Sequence, residues 1–342
     1  MTTIEPATGP AIWRGRDLTP DDWLATLAPA EIDDIDAALR ALGDRVPAGA
    51  TEFPLPTMAA RLRDVADRLE HGRGVVLLRG LPVARYSPAQ LERLYRGIGL
   101  NLGSLRYQSR KGDTLGYVTD LGGTLGTVGV RGYETRARLS YHCDRCDVVS
   151  LLCVRHARSG GLSTVVSAGA VHNAMLARAP ELLAALYEPV PSDRRDEQKP
   201  GLPRFTMFPI FARVDGRFVT RYVRDFVRSV SRLPEAPAVT ERQWQAMALL
   251  DEICNEPGMS LDMEFRPGDI QFLNNYVTYH ARTAFEDWPE PERRRLLLRL
   301  WLSVPNSRAL PESYRDLYGE VRAGAPRGGV AREALLEGAL TG

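Results

Sequence analysis

Apolar positions along this chain change period several times, and each change marks an element. Over residues 32–42 and again over 58–69, apolar residues recur at helical spacing opposite a charged face, so both stretches are predicted amphipathic helices. Residues 74–78 (GVVLL) form a short apolar run that stops at Arg79-Gly80-Leu81-Pro82, as a buried strand entering a turn does. Ser87-Pro88 then opens a third helix, with Ser87 as N-cap and Pro88 at the first helical position. The first hundred residues therefore read as mainly helical.

Beyond them the pattern shortens. Residues 140–154 and 162–166 are strand-like, separated by a turn at Gly160-Gly161. Residues 168–187 have helical spacing broken at Pro180, and 191–203 read as a charged, proline-bearing loop. Residues 205–223 alternate like antiparallel strands with a turn at Asp215-Gly216. Thr240 caps a helix over 240–254, with Trp244, Met247, Leu250 and Ile253 on one face. Short strands follow at 261–265 and 270–273, on either side of a Pro267-Gly268-Asp269 turn. The expected fold is mainly β with α: a β-barrel or jelly roll decorated by helices. The glycine-rich run at 121–132 (LGGTLGTVGVRG) lacks dinucleotide-binding spacing; it reads as a surface loop or a lid over an active site.

Composition narrows the function classes. The 342 residues are 44% hydrophobic and 25% charged, with a formal net charge of +1. That balance gives no bulk attraction to nucleic acid or to an anionic membrane, so neither is an expected partner. No apolar run is long enough for a membrane helix, and no secretory signal is visible. Four cysteines are too few for a disulfide scaffold in a chain this long, and a cytoplasmic setting is expected. Oligomeric state is left open.

Chemistry concentrates in three places. In Tyr141-His142-Cys143-Asp144, a strand would put residues 142 and 144 on one face, able to grip one metal ion. His280 is the best third ligand, because two histidines and one carboxylate make the facial triad of iron(II) oxygenases. His71, His156 and His172 read as structural or solvated. The Cys143/Cys146 pair lacks the second pair that a zinc site needs, and on a strand its sulfurs would diverge. In Arg295-Leu-Leu-Leu-Arg299-Leu-Trp301, residues 295, 297, 299 and 301 share a face if the run is a strand, although its leucines favour helix. Such arginines suit a carboxylate clamp.

Together, HCD at 142–144, GGLS at 160–163, PGDIQFLNN at 267–275, His280 and the downstream arginine pair resemble the iron(II)/2-oxoglutarate-dependent dioxygenases. The similar branch is that of taurine dioxygenase and clavaminate synthase. The resemblance covers roughly residues 72–305. It implies a double-stranded β-helix, a cupin-like jelly roll, with helices around it, and it makes 296–302 a strand. One oxygenase domain spans 1–342: a helical part to about 72, a core over about 73–305, and a C-terminal extension from about 306.

The resemblance also assigns roles. His142, Asp144 and His280 would hold Fe(II), and Arg295 would bind the distal carboxylate of 2-oxoglutarate with Ser163 or its neighbour Thr164. Arg299 would lie near the other end of the co-substrate or the prime substrate. Tyr107 and Gln108 match substrate-pocket positions by place alone. The implied reaction consumes 2-oxoglutarate and O2, gives succinate and CO2, and oxidises a C–H bond of a small molecule. The intact carboxylate at Asp144 points to hydroxylation over halogenation; desaturation, epoxidation and ring formation are the alternatives. A non-catalytic metal-binding jelly roll and a zinc-dependent hydrolase or lyase are the competing classes, and Arg295 beside the triad argues against the latter.

Overall fold

The structure, a computed structural model, describes residues 4–124 and 131–336. Residues 125–130, the middle of the glycine-rich run, lie outside the described residues, so the lid expectation does not meet the structure.

Strand Val75–Arg79 shows how the layers arise. Val75 and Leu77 point to one face and Val76 and Leu78 to the other, and all four are fully buried. An unbroken apolar run is what a strand covered on both sides requires. The larger sheet runs Leu24–Thr26, Val75–Arg79, Ile270–Asn274, Val148–Arg155, Leu296–Ser303 and Ser104–Leu105, with Leu115–Val118 also against the 296–303 strand. The smaller sheet runs Leu261–Met263, Ser163–Ser167, Thr278–Arg282 and Leu139–His142.

Three apolar layers hold the sheets. Val75, Leu77, Val149, Leu273 and Leu297 of the larger sheet meet Val165, Leu261 and Met263 of the smaller one. Helices Pro29–Leu42, Ala59–Glu70 and Pro88–Leu102 cover the outside of the larger sheet. Helices Ala168–Arg178, Pro180–Ala185 and Glu241–Cys254 cover the outside of the smaller. This is the double-stranded β-helix with helical decoration that the sequence predicts.

The leucine-rich run is a strand, Leu296–Ser303. Leu297 and Trp301 enter the layer between the sheets, while Leu298, Leu300 and Leu302 pack under the helices. Burying each of those leucines is worth roughly 1.5–3 kcal/mol. Helix propensity differs by only a few tenths of that per residue, so tertiary burial decides the element.

Local chemistry is obeyed elsewhere. The Ser87 hydroxyl accepts from the Gln90 N–H at 3.3 Å, and the Thr240 hydroxyl accepts from the Gln243 N–H at 3.2 Å. The helix expected over 168–187 breaks at Ala179, ahead of Pro180. Phe211–Val214 and Arg217–Thr220 form a hairpin whose turn residues, Asp215 and Gly216, have φ of 49° and 75°. One expectation fails: Val190–Asp193, read as the start of a loop, is a strand paired with Phe205–Phe208. Pro191 is tolerated because the pair stands as an isolated two-stranded ribbon.

After the last barrel strand the chain folds back onto the core. Arg327, fully buried, pairs with buried Asp147 at 2.7 Å. No helix among the described residues is long and apolar enough to cross a membrane.

Candidate active site

Strand Leu139–His142 ends at its histidine, opposite His280 in the register of the smaller sheet. Register partners share a face, so both imidazoles point into the barrel. The strand does not reach Asp144, yet the alternation persists. Cys143 turns outward beneath Tyr222, and the Asn275 side chain accepts from the Asp144 N–H at 2.9 Å. Asn275 also donates to the Cys146 carbonyl, so the stretch that carries the carboxylate is pinned by one amide.

The three side chains converge. Their potential ligand atoms all lie within 4.8 Å of one another. His142 Nε2 is 4.0 Å from Asp144 Oδ1, and His280 Nε2 is 3.9 Å from Asp144 Oδ2. His142 Nδ1 faces the Ser140 carbonyl at 2.8 Å; if it carries the proton, Nε2 keeps its lone pair for a metal. Burial, reinforced by His142, pushes the His280 imidazole down to about 3, so it stays neutral, as a ligand must. Burial pushes the Asp144 carboxyl up, but Arg299, His280 and His142 outweigh it and hold the group below its ordinary range. Two imidazoles on adjoining strands and one ionised carboxylate just past the end of the first strand suit a divalent iron with coordination positions to spare.

Trp301 and Arg299 complete the carboxylate's surroundings. The Trp301 indole N–H donates to Asp144 Oδ2 at 2.9 Å, and Arg299 Nη1 lies 3.8 Å from the same oxygen. Gln108 fixes Arg299: its carbonyl oxygen accepts from Arg299 Nε at 2.8 Å, and its amide donates to the Arg299 and Thr114 carbonyls. Gln108 is thus buried and committed to Arg299, not presented to solvent. Tyr107 is half-buried, and its carbonyl accepts from Val330 of the C-terminal extension.

Arg295 directly precedes the same strand, Leu296–Ser303. Its guanidinium is buried, Nη1 has no hydrogen-bond partner, and burial pushes its pKa down to about 10. Gly161 makes room beside it: a Cβ there would come within 3.1 Å of Arg295 Nε. Ser163 is the register partner of Arg282 and shares the inward face with His280 and Arg282, its hydroxyl bonded to Gln271. Thr164 is the register partner of Ala281 and lies on the outer face, toward Tyr141.

Sequence reasoning missed Arg282, which burial and then Arg295 push down to about 9 and whose Nε and Nη1 lack partners. Its position two residues after His280, on the same strand face, was the available signal. Asn275 and Trp301 were visible as members of motifs but carried no expected role. Cys143 and Cys146 fall in different apolar layers, both thiols pushed up by burial.

Comparison with known proteins adds four findings. The family model described as taurine catabolism dioxygenase TauD, TfdA family, matches residues 38–301. FR-33289 synthase of Streptomyces rubellomurinus (strain ATCC 31215) is 32% identical over 323 residues, 90% of this chain and 94% of that one. The taurine hydroxylase-like protein SAT17 of Stachybotrys chartarum (strain CBS 109288 / IBT 7711) is 29% identical over 303 residues, 84% and 77% of the two chains. Among solved structures, asparagine oxygenase in complex with Fe(II), 2S,3S-3-hydroxyasparagine and succinate superposes with a TM-score of 0.61. That likeness, at 16% identity, covers 82% of this chain and 93% of the other and bears on the fold.

Proposed function

The chain belongs to the taurine catabolism dioxygenase TauD, TfdA family, and from that premise we propose that His142, Asp144 and His280 hold the iron(II) of its active site. The protein is a non-haem iron(II)- and 2-oxoglutarate-dependent oxygenase, and its relatives act on small molecules. When bound, iron(II) with 2-oxoglutarate and O2 supplies the oxidising chemistry, which yields succinate, CO2 and an oxidised substrate C–H bond. The single observation that carries the residue assignment is the convergence of the three donors in the barrel that also buries the unpartnered Arg295.

Each residue then has a task. The Ser140 carbonyl orients His142, and Trp301 with Arg299 fixes the Asp144 carboxylate. Arg295, in the space that Gly161 leaves, pairs with the distal carboxylate of 2-oxoglutarate, and Ser163 adds a hydroxyl from the same inward face. Thr164, on the outer face, has no part in this set. Arg299, braced by Gln108, faces the metal side, where the co-substrate's other end and the prime substrate meet. Tyr107 flanks that region as a substrate contact.

The whole of residues 1–342 is one oxygenase domain in this reading. The helical part to about 72 covers the larger sheet, and the extension from about 306 is tied back through Arg327 and Asp147. Four buried free cysteines support a cytoplasmic setting.

Hydroxylation is the proposed outcome, because Asp144 fills with a carboxylate the position that a halide would need. Product mass after turnover in ¹⁸O₂ with chloride present is the test. One labelled oxygen in the product is expected; loss of two hydrogens would shift the reading to desaturation or ring closure, and a chlorinated product would contradict it.

A further inference from the structure

The C-terminal extension reaches two walls of the site. Gly329 donates its N–H to the carbonyl of Arg145, the residue after Asp144, at 2.6 Å. The next residue, Val330, donates to the Tyr107 carbonyl at 2.8 Å. Arg106 Nε donates in turn to the Gly328 carbonyl at 3.1 Å. Gly328, Gly329 and Val330 are all buried. The segment thus lies as a tie between the loop that carries Asp144 and the stretch that carries Gln108, and Arg327, one residue earlier, anchors it through Asp147.

These contacts close a circuit. Asp144 leads through the Arg145 carbonyl to Gly329, and Val330 leads through the Tyr107 carbonyl to Gln108. Gln108 holds Arg299 Nε at 2.8 Å, and Arg299 returns to 3.8 Å from Asp144 Oδ2. Asn275 grips the same loop at the Asp144 N–H and the Cys146 carbonyl, and the tie takes the Arg145 carbonyl between them.

Glycine is required along this path. Gly328 and Gly329 have φ of 77° and 67°. A Cβ on Gly329 would lie 2.7 Å from the Tyr107 carbonyl oxygen, and one on Gly328 would lie 2.6 Å from that of Arg145. Bare backbone passes between the two walls, so it sets their spacing.

We propose that Gly328, Gly329 and Val330 are positioning residues for the metal centre. They fix the Asp144 loop against the Tyr107–Gln108 stretch, and so hold the carboxylate in place for iron(II) with Arg299 beside it. The proposal rests on the reading of His142, Asp144 and His280 as the iron ligands. Contacts that orient a ligand from outside change metal affinity by roughly ten- to a hundredfold when they are lost.

The test is the iron(II) affinity of the full chain under argon, read beside the melting temperature of the metal-free protein. Gly329→Ala is expected to weaken iron(II) about tenfold. Arg106→Met keeps the side-chain stem, removes the donor to Gly328 and strains no backbone; it should weaken iron(II) about threefold. Gly324→Ala is the control. Gly324 lies in the same extension with φ of 69°, its Cβ would meet the Pro305 carbonyl oxygen at 2.5 Å, and its N–H bonds to Ser307 and not to either wall. That variant should lower the melting temperature and leave iron affinity unchanged. Wild-type iron affinity in Gly329→Ala overturns the tie alone. So does an equal loss of affinity in Gly324→Ala, since the loss would then be general loosening of the extension. If Gly329→Ala does not fold, Arg106→Met decides, and wild-type affinity there overturns the tie. A wild type that binds no iron overturns the ligand reading and the tie with it.

Discussion

Arg327 and Arg295 are both buried arginines, and they lie in opposite electrostatic worlds. Arg327 donates from Nε to Asp147 at 2.7 Å and from its two terminal nitrogens to the carbonyls of Val321, Arg322 and Arg308. Burial pulls its pKa down, but Tyr276 and Asp147 more than restore it, and the net shift is upward. Arg295 has an unpartnered Nη1 and a pKa pushed down to about 10, with Phe285 5.1 Å away under its plane. A satisfied buried cation closes the fold; an unsatisfied one waits for an anion from outside. The contrast separates the C-terminal clamp from the end of the barrel where we propose that the co-substrate binds.

Removing one partner of the satisfied pair should have the largest effect. Asp147→Asn or Arg327→Gln strands a buried group and should cost about 3–5 kcal/mol of folding stability, read from urea unfolding. An unchanged midpoint would show that the clamp is not what holds the extension. The matching change at the other site should behave oppositely. Arg295→Gln removes a cation that no salt bridge among the described residues neutralises, so stability should hold or rise. The affinity for 2-oxoglutarate should fall roughly thirty-fold, about 2 kcal/mol. Loss of stability with unchanged affinity would erase the distinction between the two arginines.

Histidines repeat the contrast on a smaller scale. His172 is fully buried, bonded to the Tyr187 hydroxyl at 2.8 Å and to Asn173, and burial holds its imidazole below the ordinary value. The unfolded chain takes up a proton as pH falls through roughly 6.5, while the folded chain resists. The stability contributed is therefore full above that pH and is lost as pH drops below it. A series of unfolding curves from pH 8 to 5.5 should show a shallower decline in His172→Gln than in the wild type. Equal slopes would mean that His172 titrates alike in both states.

How much of this was legible in the sequence depends on the range of the interaction. Strand alternation put His142 and Asp144 on one side, and, for a strand, residues 297, 299 and 301 on one face, because both need only neighbours in the chain. Thr164 against Ser163 was decided by the register of Ser163–Ser167 on Thr278–Arg282, where a slip of one residue would exchange the faces. The brace from Gln108 to Arg299 spans 191 positions, and that from Asn275 to Asp144 spans 131. No local pattern encodes such pairs; they exist only once the sheets have closed. Leu296–Ser303 was undecidable locally for the same reason, since its strand state comes from burial on both faces.

The central claim is that iron(II) bound by His142, Asp144 and His280 works with a 2-oxoglutarate held by Arg295. Equilibrium binding of both ligands under argon tests it most directly, in the wild type, His280→Ala and Arg295→Gln. The wild type should bind one iron and one 2-oxoglutarate per chain, His280→Ala should lose the iron, and Arg295→Gln should keep the iron while its hold on the keto acid weakens. Wild-type iron binding in His280→Ala, or wild-type 2-oxoglutarate affinity in Arg295→Gln, would contradict the account.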